Sequence, residues 1–449
     1  MPAPQSLEER LASHSNPFEM MYNNPTGPFQ FPVQPEFSNW VDEQRSWKAA
    51  AVLQDMSHHM TDVQLTGPDV HRLLSDLAVN SLSSFGPMQA KQLVVCNHDG
   101  YVIGDAILTC EQQHTVSVLG MPPAGNWVAF HAETGSYDID EVHVDPPSCD
   151  LRDRRVYRYQ VQGPNADKIL EELNGGPLPD IGFFKMGTFN VGPHRVTALN
   201  HRMSGAPGFE FWGPSSDGEA VKAMLLEAGE RHGLTQVGGR IYDVTATESG
   251  WFGGPVPAVY TADSMRRYRQ WLPADGIEGH GSIGGSFHAE DIADLYVTPY
   301  DIGYGFLVRF DHDFVGSEAL RAMADRPHRR KVRLNWDPDD VADVFRSLGR
   351  DGESFKRMEM PSAAYSTFVC DEVTHDGRRI GMSAGVVYSA NVGGWLSLAT
   401  IEQEHAVDGK ELAVTWGEPG GGSRKVTVER HVQRRIRVTV DTQPTKRND

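Results

Sequence analysis

Hydrophobic and polar residues recur along this chain in one unit that appears three times. In each copy an alternating run ends at a Gly-Pro pair, and hydrophobic residues at helical spacing follow it. The copies read VQLTGPDVHRLLSDL from Val63, YQVQGPNADKILEEL from Tyr159 and FEFWGPSSDGEAVKAMLL from Phe209. Proline suits the first turn of a helix, where its fixed torsion and missing donor cost nothing. The pattern predicts three strand–turn–helix units and therefore an α+β protein whose helices cover a sheet.

The carboxyl-terminal third follows a different pattern. Short β-rich runs alternate there with glycine turns, and they read RIGMSAGVVYS, WLSLATI, ELAVTWG and RKVTVERHV. This spacing predicts a small β-barrel or sandwich. The segment EPGGGSRK has the glycines of a phosphate loop but no helix after it, so a hairpin turn is the better interpretation.

The length of 449 residues suggests two or three domains at roughly 150 residues each, and three fits the repeat. We assign residues 1–60 and 155–240 to a first α+β domain. Residues 61–154 and 241–325 form a second α+β domain in this interpretation, and residues 326–449 form the β-rich domain. A ligand is expected where these layers meet.

Charge and composition exclude several classes of partner. With 41 basic and 60 acidic residues the net charge is -19, which disfavours nucleic acid and anionic membranes. The amino terminus lacks the apolar core of a signal peptide, and no run approaches the roughly 18 apolar residues of a membrane span. We therefore expect a soluble, cytoplasmic protein. The four cysteines lack paired CxxC spacing, which indicates reduced thiols and no metal site, and the sequence leaves monomer or homo-oligomer open.

Glu210 is the most conspicuous carboxylate because it stands within the aromatic strand Phe209–Trp212. Alternation places it on the face opposite to both phenylalanines. A carboxylate beside aromatic rings is costly to bury unless it accepts strong hydrogen bonds. It is therefore either a ligand that grips an N–H-rich heterocycle or a solvated edge residue.

Four further segments carry polar groups in suggestive places. Tyr242 and Trp251 stand ahead of a Gly-Gly-Pro loop, and a phenol there can donate a proton or simply pack against the backbone. His58 and His59 are adjacent at the start of a predicted strand, so one is expected to face the core and one to face away. Asp105 follows a glycine in a hydrophobic strand and is either a charge-neutralising group or a turn residue. Gln160 and Gln162 share a strand face with Arg158, which suits polar recognition or a half-exposed sheet.

Taken in order, these segments resemble the folate-dependent aminomethyltransferase family, which includes the T-protein of the glycine cleavage system. The resemblance lies in QGPNA, in APGFEFWGP and in DIGYGFLVRFDHDFVGSEAL. It implies three domains in a cloverleaf ring with tetrahydrofolate in a central channel. The β-rich third domain would then be a barrel or a jelly-roll-like fold.

A closer resemblance is to the bacterial tetrahydrofolate-dependent aryl ether O-demethylases of that family. It is carried by PEFSNW, NWVAFHAETG, LNGGPLP, ESGW, QWLPADG and IGGSF. The resemblance implies that Glu210 binds the pterin, that Trp251 lies beside the folate, that Tyr242 is the catalytic tyrosine and that His59 is a substrate-pocket histidine. Asp105 matches one of two acidic residues in the aminomethyltransferases and is a third catalytic candidate. Gln160 and Gln162 join the candidates for cofactor binding.

Departures from the demethylase pattern concern the substrate pocket. Phe29 and Phe31 stand where those enzymes have tyrosines, and Met56 stands where a glutamine is expected. Met121 replaces the arginine expected to pair with a substrate carboxylate. A buried benzoate without a cation is costly, so these four positions favour a small, neutral, apolar aromatic ether.

The sequence therefore predicts a tetrahydrofolate-dependent one-carbon transferase that cleaves an aryl ether. The preferred reaction opens a methylenedioxyphenyl ring, as in sesamin-like lignans, to a catechol with formation of 5,10-methylene-tetrahydrofolate. The alternative is O-demethylation of a methoxylated aromatic, either vanillate- or syringate-like or neutral, which gives 5-methyl-tetrahydrofolate. A folate-binding protein without transfer activity is disfavoured, because LYVTPYDIGYG lacks the cysteine of the family's iron–sulfur assembly members.

Overall fold

The computed structural model describes residues 6–30, 32–147, 150–201 and 206–442. The helices of these residues, in chain order, are α1 (Leu7–Ala12), α2 (Pro17–Tyr22), α3 (Trp40–Ala49), α4 (Val70–Leu77), α5 (Pro122–Thr134), α6 (Ala166–Asn174), α7 (Gly218–Glu230), α8 (Tyr242–Ser249), α9 (Arg266–Trp271), α10 (Ile277–His280), α11 (Ser317–Met323) and α12 (Pro338–Ser347). The strands are β1 (Ala51–Asp55), β2 (Thr61–Thr66), β3 (Gln89–Cys96), β4 (Val102–Gln112), β5 (Thr115–Gly120), β6 (Glu141–Asp145), β7 (Val156–Gln162), β8 (Met186–Val191), β9 (His194–Leu199), β10 (Gly208–Pro214), β11 (Leu234–Val237), β12 (Ile283–Gly284), β13 (Arg330–Trp336), β14 (Phe368–Val369), β15 (Asp371–His375), β16 (Arg378–Ser389), β17 (Gly394–Ile401), β18 (Glu411–Trp416) and β19 (Arg434–Asp441).

The three predicted strand–turn–helix units are present as β2–α4, β7–α6 and β10–α7. In the first two, the glycine of the Gly-Pro pair adopts a positive φ, 152° at Gly67 and 133° at Gly163. A Cβ at Gly163 would lie 2.4 Å from the carbonyl oxygen of Ala50, so only glycine lets these two segments approach. The third unit differs, because β10 continues through Pro214 and a short 3-10 turn precedes α7.

The first sheet has the strand order β11-β1-β7-β10-β9-β8. Its middle strands β7 and β10 are antiparallel, with Glu210 opposite Gln160 and Phe211 opposite Tyr159. Phe209 and Phe211 enter the hydrophobic core that α6 and α7 cover, together with Val221 and Leu225 of α7. The other face of β7 and β10 is therefore left for polar residues.

The second sheet has the strand order β3-β4-β5-β2-β6. Helix α4 presents Val70, Leu73, Leu74 and Leu77 to this layer, as its spacing predicts, and all four are fully buried. Helix α5 packs beside it with Trp127 and Val128 in the same core. Asp105 on β4 lies on the side of the second sheet that faces the first sheet.

Strands β13, β17, β16, β15, β18 and β19 close into a barrel in that order. The α+β class and the β-rich carboxyl-terminal region are thereby confirmed, and the latter is a closed six-stranded barrel. The limits that we predicted for the three domains stay a prediction. No helix in the described part of the chain is both long and apolar enough to cross a membrane.

One predicted strand of this region is wrong. RKVTVERHV is not a strand, and it lies with EPGGGSRK in the long connection from β18 to β19 rather than in a tight hairpin. Polar contacts with distant segments hold this connection instead of ladder hydrogen bonds. The Nζ of Lys425 donates to the carbonyl of Tyr22 at 3.1 Å, and Glu429 accepts from the backbone N–H of Arg357 at 2.6 Å.

Candidate active site

Two cavities lie side by side: one lies between the two sheets, and the barrel helps to line the other. The Glu210 cavity, of about 200 Å³, is lined by Met56, His59, Met60, Gln92, Asp105, Ala106, Ile107, Leu119, Gly120, His201, Glu210, Ser249 and Trp251. The Tyr242 cavity, of about 220 Å³, is lined by Pro28, Phe29, His59, Met60, Met121, Tyr242, Asp243, Ala246, Thr247, Trp251, Phe252, Gly253, Gly254, Ser362, Ala364, Ser366, Thr367, Phe368, Val369, Ala384, Gly385, Val387 and Leu398. His59, Met60 and Trp251 belong to both linings, so the cavities meet at these three side chains.

Glu210 lies in the first cavity, on the face of β10 opposite to the two phenylalanines, as alternation predicts. Its side chain is 2 % exposed. One carboxylate oxygen accepts from Nη1 of Arg158 at 3.2 Å and the other from Nδ1 of His201 at 3.4 Å. Burial raises the pKa of Glu210, but the His201 hydrogen bond and the charge of Arg158 outweigh it and hold that pKa at about 2. Glu210 is therefore a buried carboxylate that stays ionised at neutral pH.

Arg158 on β7 is the buried cation that, with His201, keeps Glu210 ionised. Its side chain is 3 % exposed, and Nη2 lies 3.5 Å from Oδ2 of Asp62 on β2. The guanidinium also lies over the ring of Trp212, 4.3 Å from its centre. Arg158 thus joins the first sheet to the second through two carboxylates and one aromatic face.

Gln160 and Gln162 do not line either cavity. Both are buried, and their side-chain amides donate to the carbonyl of His201 at 3.3 and 2.7 Å. They therefore position the His201 backbone beside Glu210. Direct contact of either glutamine with a cofactor stays a prediction.

Asp105 faces Glu210 across the first cavity, on β4 of the second sheet. A single oxygen, Oδ2, accepts three hydrogen bonds: from Gln92 at 2.8 Å, from Nε1 of Trp251 at 3.0 Å and from the Tyr304 hydroxyl at 2.8 Å. Burial raises the pKa of Asp105, and the hydrogen bonds from Trp251 and Tyr304 oppose that rise. The hydrogen bond from Trp251 fixes its ring in the wall between the two cavities, and the other two hold Asp105 in place.

Tyr242 is the first residue of α8 and lines the second cavity. Its hydroxyl donates to the backbone carbonyl of Asp55. Burial, with a smaller contribution from the Asp55 charge, raises the pKa of Tyr242 well above its ordinary value. The phenol is therefore fully protonated at neutral pH and able to donate.

His59 lies next to Tyr242, with 5.3 Å between the ring centres. His58 and His59 are not in a strand: they lie in the bend between β1 and β2, and both are buried. The expectation that one of them faces away from the core is wrong, because strand alternation does not apply in a bend. Burial lowers the pKa of His59 to about 4, although the Glu210 carboxylate opposes this shift. Since Nδ1 lies 3.2 Å from the Met56 carbonyl, which can only accept, neutral His59 carries its proton on Nδ1.

The four pocket positions that depart from the demethylase pattern do not share one cavity. Phe29 and Met121 line the Tyr242 cavity, whereas Met56 lines the Glu210 cavity. Phe31 lies outside the described residues. The structure thus brings Phe29 and Met121 together with Tyr242, and it places Met56 with Glu210 instead.

Several site residues escaped the sequence analysis. Val387 and Leu398 of the barrel line the Tyr242 cavity, and so does the segment Ser366–Val369 that precedes β15. Tyr304 reaches Asp105 from 199 positions along the chain. The sequence indicates Tyr304 only through its place in the family-like segment DIGYGFLVRF. Nothing in the sequence indicates the barrel residues.

Comparison with known proteins defines the class. The GCVT N-terminal domain matches residues 9–253, which is more than half of the chain. The crystal structure of the glycine cleavage system aminomethyltransferase T from Bartonella henselae has the same fold, with a TM-score of 0.59 and 16% identity over 95% of both chains. The chain therefore belongs to the aminomethyltransferase family, and tetrahydrofolate is the one-carbon carrier of this family, as predicted.

Two relatives narrow the class further. The chain is 41% identical to a syringate O-demethylase of Sphingobium sp. strain SYK-6, over 98% of this chain and 96% of that protein. It is 30% identical to a sesamin methylene transferase of Sinomonas sp. strain No.22, over 81% of each. The chain is thus an enzyme, a tetrahydrofolate-dependent one-carbon transferase of the O-demethylase and methylene transferase type.

Proposed function

We propose that this enzyme removes the methyl group from a methoxylated aromatic ring and transfers it to tetrahydrofolate. The observation that carries the proposal is the pair of cavities that meet at His59, Met60 and Trp251. One of them offers an ionised carboxylate, and the other is mostly apolar beside a tyrosine. This arrangement suits a polar heterocycle and an aromatic ether held side by side, with the reacting atoms at the shared wall.

The residues of the Glu210 cavity fit the pterin of tetrahydrofolate. Pterins present adjacent N–H donors, and Glu210 is an ionised acceptor whose own partners hold it in place. Met56, Ile107 and Leu119 supply apolar walls for the ring. When bound, tetrahydrofolate supplies the ring nitrogen that accepts the one-carbon unit.

The Tyr242 cavity favours an uncharged ether. Its described lining contains no lysine or arginine, and Met121 stands there where the arginine was expected. A buried substrate carboxylate would remain without a cation, which costs several kcal/mol. A methoxyarene without a carboxylate is therefore our proposed substrate class, although the relative with 41% identity acts on syringate, an aromatic acid.

Side chains at and next to the shared wall are assigned to the departing oxygen and to the proton that is released. The transfer breaks the bond between oxygen and methyl carbon and leaves a phenolate; the methyl carbon would bond to the folate ring nitrogen, and the proton which that nitrogen gives up would balance the one that the phenolate gains. Tyr242 is protonated and is assigned as the donor to this oxygen, exchanging its hydrogen bond with the Asp55 carbonyl for one with the phenolate. His59, neutral with its proton on Nδ1, is assigned as an acceptor of the proton that the transfer releases. Asp105 is assigned the role of holding Trp251 in place beside both the folate and the aromatic ether.

Ring opening of a methylenedioxyphenyl group, which the sequence analysis preferred, is the second candidate. The resemblance to the sesamin methylene transferase and the apolar lining support it. We propose methyl transfer as the first candidate, supported by the greater identity and coverage of the syringate O-demethylase.

One assay separates the two reactions. The purified enzyme is incubated with tetrahydrofolate and either guaiacol, veratrole, syringate or sesamin, and the folate and aromatic products are identified by mass. We expect 5-methyl-tetrahydrofolate and a demethylated phenol from the neutral methoxyarenes. Catechol formation from sesamin with 5,10-methylene-tetrahydrofolate would favour the second candidate, and syringate turnover above that of guaiacol would contradict the neutral substrate class.

A further inference from the structure

The polar groups of the Tyr242 cavity are mostly acceptors. The hydroxyl of Ser366 donates to the carbonyl of Phe368 at 3.1 Å, and that of Thr367 donates to the carbonyl of Gly27 at 3.3 Å. The Tyr242 hydroxyl donates to Asp55, as described above. The Ser366 and Thr367 protons are therefore already used within the protein, and Tyr242 is assigned to the departing oxygen alone, so the rest of a ligand meets oxygen lone pairs rather than donors.

Asp243 is the acidic member of this set. It follows Tyr242 in the first turn of α8 and lines the same cavity, where it stays accessible to solvent. Its Oδ2 accepts from the Ser362 hydroxyl at 2.8 Å. Within the described part of the chain no other hydrogen bond or ion pair to this carboxylate is present, so it retains capacity to accept.

We propose that Asp243 is a specificity-determining residue that accepts a hydrogen bond from a phenolic hydroxyl of the substrate. The inference rests on the proposed function and narrows its substrate class to methoxyphenols. A cavity whose available polar groups are mostly acceptors, with a carboxyl group among them, binds a ring that brings its own donor, and it disfavours a ring that brings a carboxylate of its own. A fully methylated ring offers no donor and leaves Asp243 without this bond.

The test compares each of the three methoxyphenols with the dimethoxybenzene of the same substitution pattern. Binding is measured by calorimetry on the enzyme saturated with 5-methyl-tetrahydrofolate, which already carries its methyl group and cannot accept another from the ligand. We expect the preferred methoxyphenol to bind about tenfold more tightly than its dimethoxy partner, the effect of one hydrogen bond to a partly solvated charge. In Asp243→Ala this ratio should fall below about twofold, and in Asp243→Asn, which keeps a neutral acceptor, it should be intermediate.

Asp339→Ala is the matched control, because Asp339 is also an exposed aspartate in the first turn of a helix, α12. It should keep the wild-type ratio. Thermal unfolding of each variant confirms that the fold is retained. A wild-type enzyme without preference, or an Asp243→Ala variant with the wild-type ratio, would overturn the inference.

This binding measurement is separate from the product assay of the proposed function. If the preference depends on Asp243 but no methyl-tetrahydrofolate forms from any donor, the specificity role stands and the reaction is wrong. If methyl-tetrahydrofolate forms but the preference is unchanged in Asp243→Ala, the reaction stands and the role of Asp243 is wrong.

Discussion

The two cavities share three side chains but are built on opposite principles. In the Glu210 cavity the charged groups are buried and hold one another, with Arg158 between two carboxylates and Asp105 accepting three hydrogen bonds. In the Tyr242 cavity the walls are Phe29, Met121 and barrel side chains, with one exposed aspartate. Fixed polar networks specify one ligand, whereas apolar walls accept any ring of suitable shape. In the proposed function, the Glu210 cavity therefore belongs to the shared carrier, and the Tyr242 cavity carries the specificity of this enzyme.

The largest effect is expected from Arg158→Met, which tests whether the first cavity depends on its buried cation. This change leaves Glu210 and Asp62 buried without their charge partner, so the free energy of unfolding should fall by about 3–5 kcal/mol. Urea unfolding measures it. Arg155→Met is the matched control, because Arg155 pairs with Glu141 at the surface and its loss should cost at most about 1 kcal/mol. Equal losses in the two variants would contradict the buried network.

Glu210→Gln tests whether the Glu210 cavity binds tetrahydrofolate. The amide keeps the shape but loses the charge, so the Kd of tetrahydrofolate should rise by a factor of about 100, or roughly 2–4 kcal/mol. Fluorescence titration measures it. Glu219→Gln on the exposed face of α7 should leave this Kd unchanged. An unchanged Kd in Glu210→Gln would place the pterin elsewhere.

Tyr242→Phe tests whether the Tyr242 cavity supplies the hydrogen-bond donor for the chemical step. Loss of the donor to the departing oxygen should lower kcat about 100-fold, while the Kd of tetrahydrofolate stays at the wild-type value. Single-turnover kinetics and the folate titration together measure this separation. An unchanged kcat would remove the assigned role, and a weakened folate affinity would show that the two cavities do not act separately.

The smallest effect concerns His59 at the shared wall. Its folded pKa of about 4 lies below the unfolded value near 6.5, so the unfolded chain binds the extra proton first as the pH falls. The His59 contribution to stability is therefore present above pH 6.5 and is lost as the pH falls towards 4. Between pH 6.5 and 5.5 the wild type should lose about 1 kcal/mol that His59→Gln does not lose. Urea unfolding at the two pH values measures the difference, and parallel losses would contradict a buried neutral His59.

The sequence predicted best what depends on local periodicity. The three Gly-Pro units, the buried stripe of α4 and the orientation of Glu210 all follow from spacing within one element, and the structure has them. Resemblance to the family supplied tetrahydrofolate and the grouping of Tyr242, His59 and Trp251, which the Tyr242 cavity brings together.

What the sequence could not predict depends on contacts between distant segments. Tyr304 reaches Asp105 and Arg158 reaches Asp62 only once the sheets have packed. Strand alternation failed at His58 and His59, because the chain bends there. The resemblance to the demethylases groups Met56 with Met121 in one substrate pocket, but the fold places the two methionines in different cavities.

A crystal structure of the enzyme with tetrahydrofolate and a bound methoxyphenol tests the central claim most directly. The account predicts the pterin against Glu210, the aromatic ring beside Phe29, Met121 and Tyr242, and the methoxyl group at the wall formed by His59, Met60 and Trp251. A pterin bound away from Glu210, or an aromatic ring that shares the Glu210 cavity with it, would contradict the division of the site on which the proposed reaction rests.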